Sequence, residues 1–421
     1  MHTDALSPNP TTTTHAPRTL RHEYHPRLLE IFRHREVLSQ RFTEEREYRV
    51  LFAQEHNFAF SSRACSDGRK SDLTFALGLR AGQHKSFRDP GSIEATFEDP
   101  VFMQRFVAHH KLVSRGLDLV SKELGQIDLS IAHESGRFKL LGCGAWDNRT
   151  AEYLQHMRNL AAEVNAWQNG QIVSITALLD TDDDSIRIFG PSGQSLSTTA
   201  YASETNDSSP GRLQRIQSEL ELELIKLFPF DLEPICSLRQ SLRDAFHHEL
   251  AERLVGNILF VEAVRRNDRP IEALDHQECA IFLGRPLETV NHNEAFLIED
   301  RGNIFGDGLS HLKLGLKYVT PNCILADPEN WVVPVFIAIP HNGGDANVVR
   351  QYARGLRKKV ERCVQKNAAW VAEHIHGKEH LPKQAVARIT SELSQRVVIC
   401  TTIHDRKDRF PVSVDDLESI R

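Results

Sequence analysis

Short runs rich in β-branched and aromatic residues alternate along this chain with longer amphipathic stretches. Residues 58–60, 127–133, 171–179, 185–189, 279–284, 332–339 and 397–401 read as strands. Between them, helical spacing predicts helices over 72–79, 150–168, 211–228, 235–266 and 345–374. In the 150–168 segment, Leu154, Met157, Leu160, Ala161 and Val164 share one face. Strands separated by helices are joined by crossovers, and crossovers build a mostly parallel sheet with helices on its faces. The expected fold class is therefore α/β. The run 332–339 (Val-Val-Pro-Val-Phe-Ile-Ala-Ile) is almost continuously apolar, as a strand covered on both faces must be. Residues 191–211 are polar and turn-rich and read as a surface loop.

The chain has 421 residues, enough for two or three domains. Its first 20 residues hold four consecutive Thr and three Pro without apolar periodicity, the composition of a disordered arm. Such an arm is either a frayed end or a docking motif for a partner. A helical pattern follows from His25 to about Gln54. The net charge of −6 gives no electrostatic footprint for nucleic acid or an anionic membrane. No run approaches the ~20 apolar residues of a membrane span, and the first residues lack the apolar core of a secretory signal. Seven scattered cysteines do not form a disulfide framework. In a reducing compartment their thiolates are available to a metal.

Chemistry concentrates in two stretches. Cys65-Ser66-Asp67-Gly68-Arg69 stands at the end of a strand, where open α/β sheets form their ligand crevice. Extended backbone points Cys65, Asp67 and Arg69 the same way. Arg69 can then clamp Asp67 and keep it ionised. The plain alternative is a buried cysteine beside a surface ion pair. The second stretch has His133 closing a strand and Cys143 just ahead of the helix at 150. Each residue alone is most often structural. Two thiolates and one imidazole together are a zinc donor set that leaves a fourth position for water.

Cys65-x-Asp67-x-Arg69 resembles the zinc motif of β-type carbonic anhydrases. The wider spacing of His133 and Cys143 is similar to the carboxysomal branch, the carboxysome shell carbonic anhydrases. Similarity runs from about residue 58 to 365 through Asn148-Arg149, 179–187, 275–278 and 333–341. It implies a duplicated β-type carbonic anhydrase-like unit whose second copy lacks the zinc site. The implied domains are an arm and short helix over 1–44, a catalytic zinc domain over 45–275 and a pseudo-repeat over 276–421. A weak echo fits this, since Leu-Ser-Ile-Ala-His133 is answered by Ile-Ala-Ile-Pro-His341. His341 is read as a relic rather than a ligand.

The resemblance implies one Zn2+ per chain, held by Cys65, His133 and Cys143. Asp67 would orient the attacking oxygen toward CO2, and Arg69 would hold Asp67 off the metal. His276 is the expected proton carrier, or else a polar residue at an element end. The expected activity is reversible hydration of CO2 to bicarbonate. Relatives of the fold that act on CS2 or COS would carry the same triad. A dimer-based oligomer is implied, as is location in a carboxysome, with shell proteins or Rubisco as partners through the N-terminal arm. The family's N-terminal helical domain is reduced here to that arm and helix, so a free cytoplasmic enzyme is the other expectation.

Overall fold

The structure is a computed structural model, and it describes residues 55–65, 73–79, 84–92, 124–136, 142–167, 170–203, 209–266, 280–284, 295–298, 308–341, 346–375, 380–405 and 412–413. The expected arm and the helix over 25–54 lie outside the described residues, as do Asp67, Arg69 and His276.

The fold is α/β with two mostly parallel sheets. The first contains β1 (Phe58–Cys65), β2 (His84–Asp89), β3 (Gly125–Glu134), β4 (Ile172–Asp180), β5 (Ile186–Phe189) and β6 (Ser195–Ser197), in the order β2-β1-β3-β4-β5-β6. The first four of these are mutually parallel, and β5 and β6 are antiparallel additions. The second sheet contains β7 (Ala280–Gly284), β8 (Ala295–Ile298), β9 (Val333–His341), β10 (Val397–Asp405) and β11 (Val412–Ser413). Its order, read from the β8 edge, is β8-β7-β9-β10-β11. Four parallel strands are again followed by an antiparallel edge. The two parallel cores thus share one strand order: second, first, third, fourth. The edge strands β2 and β8 approach each other.

The described helices lie in the connections between strands. In the first half they are the single turn α1 (Leu73–Ala76), α2 (Thr150–Trp167), α3 (Pro210–Leu227) and α4 (Gln240–Arg266). In the second they are α5 (Gly308–Ala326), α6 (Ala346–His374) and α7 (Lys383–Arg396). One face of the first sheet, with Phe58, Phe60, Ile127, Leu129, Ile131 and Ile175, packs on Leu220 and Leu224 of α3 and Phe246, Leu250 and Leu254 of α4. The opposite face lies under α2. The second half has its own core, where Val335, Ile337 and Ile339 meet Leu312, Leu316, Leu356, Val360 and Ile389.

Two expectations change. The helix predicted over 235–266 begins only at Gln240, because the Arg239 amide is used by the Gly170 carbonyl at 3.0 Å and residues 235–238 form turns. The predicted loop 191–211 contains β6, which pairs with β5. Its sequence, Ser-Leu-Ser, is polar because the strand stands at the sheet edge.

Under α2 the sheet carries buried polar side chains beside the apolar Ala132 and Leu178. Arg63 and Asp128 are both fully buried. The guanidinium donates to Asp128 Oδ2 from Nε at 3.1 Å and from a terminal nitrogen at 2.9 Å, and to the Leu160 carbonyl at 3.0 Å. It also donates to Ser130 and Ser174. Ser61 and Ser174 donate to the same carboxylate, each at 2.8 Å. A buried charge persists only when paired and hydrogen-bonded, and this one is both.

Candidate metal centre

Parallel strands all end on one edge of a sheet, so residues distant in sequence meet there. Cys65 is the last residue of β1, and His133 is the penultimate residue of the neighbouring β3. Cys143 directly precedes the turn Gly144–Trp146, which leads into α2. Its carbonyl accepts from the amides of Trp146 at 3.0 Å and Asn148 at 3.1 Å, so the cysteine is fixed by the turn behind it. All three residues are buried. Their ligand atoms lie within 4.8 Å of one another, the one such group among the described residues.

The two sulfurs are 3.6 Å apart. Tetrahedral zinc with bonds of ~2.3 Å to sulfur sets its thiolates roughly 3.8 Å apart. Spacing and donor set therefore both fit a zinc ion. Among the described residues three donors are gathered, one fewer than a closed tetrahedral site uses.

The surroundings hold these residues in place. The Tyr153 hydroxyl donates to the Ile131 carbonyl at 3.2 Å, and its ring meets the edge of His133 at 5.7 Å between centroids. Trp146 stacks on Tyr153 and donates its indole N–H to the Gly91 carbonyl at 3.0 Å. The Gly91 amide in turn donates to the Cys65 sulfur at 3.2 Å. From the second half, Tyr318 of α5 lies over the Cys143 turn. A Cβ on Gly144 would stand 2.9 Å from Tyr318 Cε1 and 3.1 Å from its hydroxyl oxygen.

The acidic stretch Asp180–Asp184 closes β4 beside the exit of β3. Thr181 donates to the Glu134 carbonyl from its amide at 2.8 Å, Gly136 donates to Asp180 at 3.1 Å and Ser135 to Asp182 at 2.8 Å. The stretch therefore fastens the chain that leaves His133. Burial pushes the Asp180 carboxyl above the usual carboxylate range, and the neighbouring Asp182 and Asp183 add to that. Asn148 and Arg149 belong to the turn between Cys143 and α2, with the Arg149 amide donating to the Trp146 carbonyl at 2.9 Å. His341 closes β9 opposite Asp405 of β10. A cleft of about 920 Å³ bordered by Arg158, Phe189, Pro191 and Glu233 is lined by none of the three ligand residues.

Of the six site residues expected from the sequence, the structure brings Cys65, His133 and Cys143 together. Asp67, Arg69 and His276 lie outside the described residues. Gly91, Trp146, Tyr153 and Tyr318 were not foreseen. No motif joins them to the triad, although Trp146 and Tyr153 follow Cys143 closely enough to have been considered. Among the described residues no helix is long and apolar enough to cross a membrane. Comparison with protein-family models and with curated proteins returns no match.

Proposed function

We propose that this chain is a zinc-dependent carbonic anhydrase that interconverts CO2 and bicarbonate. The observation that carries the reading is the buried Cys65–His133–Cys143 triad at the carboxyl edge of a parallel sheet, with its sulfurs 3.6 Å apart. The likeness of Cys65-x-Asp67-x-Arg69 and of the His133–Cys143 spacing to carboxysome shell carbonic anhydrases supports it. The shared strand order of the two sheets supports the further reading that the chain is a duplicated β-type unit, with the metal in the first copy only.

When bound, zinc would lower the pKa of a coordinated water from its bulk value toward the neutral range. The chain's residues do the rest. Two thiolates and an imidazole hold the ion and leave one position for the substrate side. Asp67, aimed by Arg69, accepts the proton of the attacking oxygen in a hydrogen bond and turns its lone pair toward carbon. His276 passes the released proton to solvent. Trp146 and Tyr153 stack on the α2 side, and Tyr153 packs against His133. A dimer-based oligomer and a carboxysomal setting, with shell or Rubisco contacts through the arm, complete the proposal.

The test is stopped-flow CO2 hydration near pH 8. Turnover that disappears on chelation and returns with zinc supports the assignment. A zinc-loaded protein inert toward CO2 but active on CS2 or COS would move the triad to that chemistry. Inertness toward all three would overturn a catalytic reading.

A further inference from the structure

Trp146 touches the supports of both cysteines. Its backbone amide donates to the Cys143 carbonyl at 3.0 Å, and its indole N–H donates to the Gly91 carbonyl at 3.0 Å. Gly91 belongs to the turn Pro90–Ser92, whose amide reaches the Cys65 sulfur at 3.2 Å. Cys65 and Cys143 are 78 residues apart, so no local geometry relates them. The indole closes the circuit.

The Pro90–Ser92 turn does not hold its shape unaided. Gly91 has φ 66° and Ser92 has φ 54°, and a serine in the left-handed region persists only where its surroundings dictate it. The surroundings do so here. His156 Nε2 donates to the Ser92 carbonyl at 2.9 Å, and the Ser92 and Tyr153 hydroxyls are 3.4 Å apart. A Cβ on residue 91 would stand 2.8 Å from both the Ala145 Cβ and the Trp146 indole nitrogen. Trp146 is itself held between Tyr153, stacked at 5.7 Å and 15°, and His156 at 5.1 Å. Three aromatic residues of the Cys143 turn and α2 thus clamp a strained turn whose amide is aimed at a ligand sulfur.

We propose that Trp146 is a positioning residue for the metal centre: by holding Gly91 it aims an N–H at the Cys65 sulfur and so sets how strongly that sulfur donates to the metal. An N–H bonded to a thiolate draws charge from it and orients the lone pair that remains for the metal. Without that bond the sulfur is more electron-rich and less well directed. The inference rests on the reading of Cys65, His133 and Cys143 as metal ligands, and deepens it.

The test uses the full chain with Trp146→Phe, which keeps a ring on Tyr153 and deletes the N–H. A second variant places benzothienylalanine at position 146, which keeps the bicyclic shape with sulfur in place of N–H. Both are expected to fold as the parent does and to bind zinc about 10- to 100-fold more weakly in competition with a chromophoric chelator. In the cobalt-loaded proteins the sulfur-to-cobalt charge-transfer band is expected to move to lower energy. In the parent loaded with a spin-half cadmium isotope, the Gly91 amide proton is expected to show scalar coupling to the metal. Unchanged zinc affinity and an unmoved cobalt band in the benzothienylalanine protein would overturn the role of Trp146. Absence of the Gly91 coupling in the metal-loaded parent would overturn the N–H to sulfur bond. Either result leaves the metal centre standing. A parent chain that binds neither zinc, cobalt nor cadmium would instead remove the metal centre itself, and this inference with it.

Discussion

At Gly144 a single hydrogen stands where any other residue would carry at least a methyl group, and Tyr318 occupies that space. Gly144→Ala is therefore expected to displace the Tyr318 ring and cost about 1–3 kcal/mol, the usual range for overpacking. In a Tyr318→Ala background the cost of Gly144→Ala should be much smaller, and denaturant unfolding of the two single variants and the double variant measures the coupling. If the two costs simply add, the contact is not what restricts position 144. The candidate donors, which the structure brings together, were legible in the sequence, because Cys, His and Cys at strand ends and a helix start are a donor set whatever surrounds them. Gly91, Trp146, Tyr153 and Tyr318 were not. Their contacts join segments distant in the chain, and neither periodicity nor motif reports such contacts.

At the scale of elements, β3 shows where a sequence pattern misleads. Ile127, Leu129 and Ile131 alternate with Gln126, Asp128 and Ser130, the pattern of a strand with one wet face. Residues 125–133 are nonetheless all buried. The polar face is covered by α2 and satisfied by Arg63, Ser61 and Ser174. Asp128→Ala leaves the Arg63 charge buried without its carboxylate and is expected to cost about 3–5 kcal/mol in denaturant unfolding. Replacing both partners, Arg63→Met with Asp128→Leu, should cost less than that single change. A harmless Asp128→Ala would show that the pair contributes little. The strands β1, β3 and β4 and the helices α2, α3 and α6 follow from periodicity, whereas β2, which pairs with β1 beside Cys65, was not predicted. The helices α5 and α7 were not predicted, and α5 carries Pro321 in its interior.

The helical layer also gives a pH dependence. His247 of α4 is buried, and its Nε2 donates to the Phe228 carbonyl at 2.7 Å. Burial pushes its pKa below the usual histidine value, only partly offset by the Phe228 hydrogen bond and by Glu221. A histidine with a depressed folded pKa contributes stability that is complete above the unfolded value of about 6.5. Below that pH the unfolded chain takes up the proton first, and stability falls. The thermal midpoint should drop between pH 7 and pH 5, and less so in His247→Gln. Parallel slopes in the two proteins would assign the loss to other groups.

The whole molecule sets two sheets of matching strand order beside each other, and the second half reaches the turn after Cys143 in the first half through Tyr318. The α/β class was legible from the alternation of short and long periodic runs. The matching orders were not, because strand order depends on which crossovers place which strands in the centre, and a five-residue echo between the runs ending in His133 and His341 carries none of that.

The separation of Cys65 from Cys143 bears finally on the order in which this molecule assembles. An unfolded chain would have to close a loop of 78 residues to bring those sulfurs together. In the folded chain they are 3.6 Å apart, because the end of β1 meets the turn that leads into α2. Zinc present during refolding should accordingly leave the rate of the main folding step unchanged and slow unfolding instead. A folding rate that climbs with zinc concentration would mean that the ion nucleates the sheet. The opposite result would make the ion a latecomer, captured by a mould that the chain has already cast.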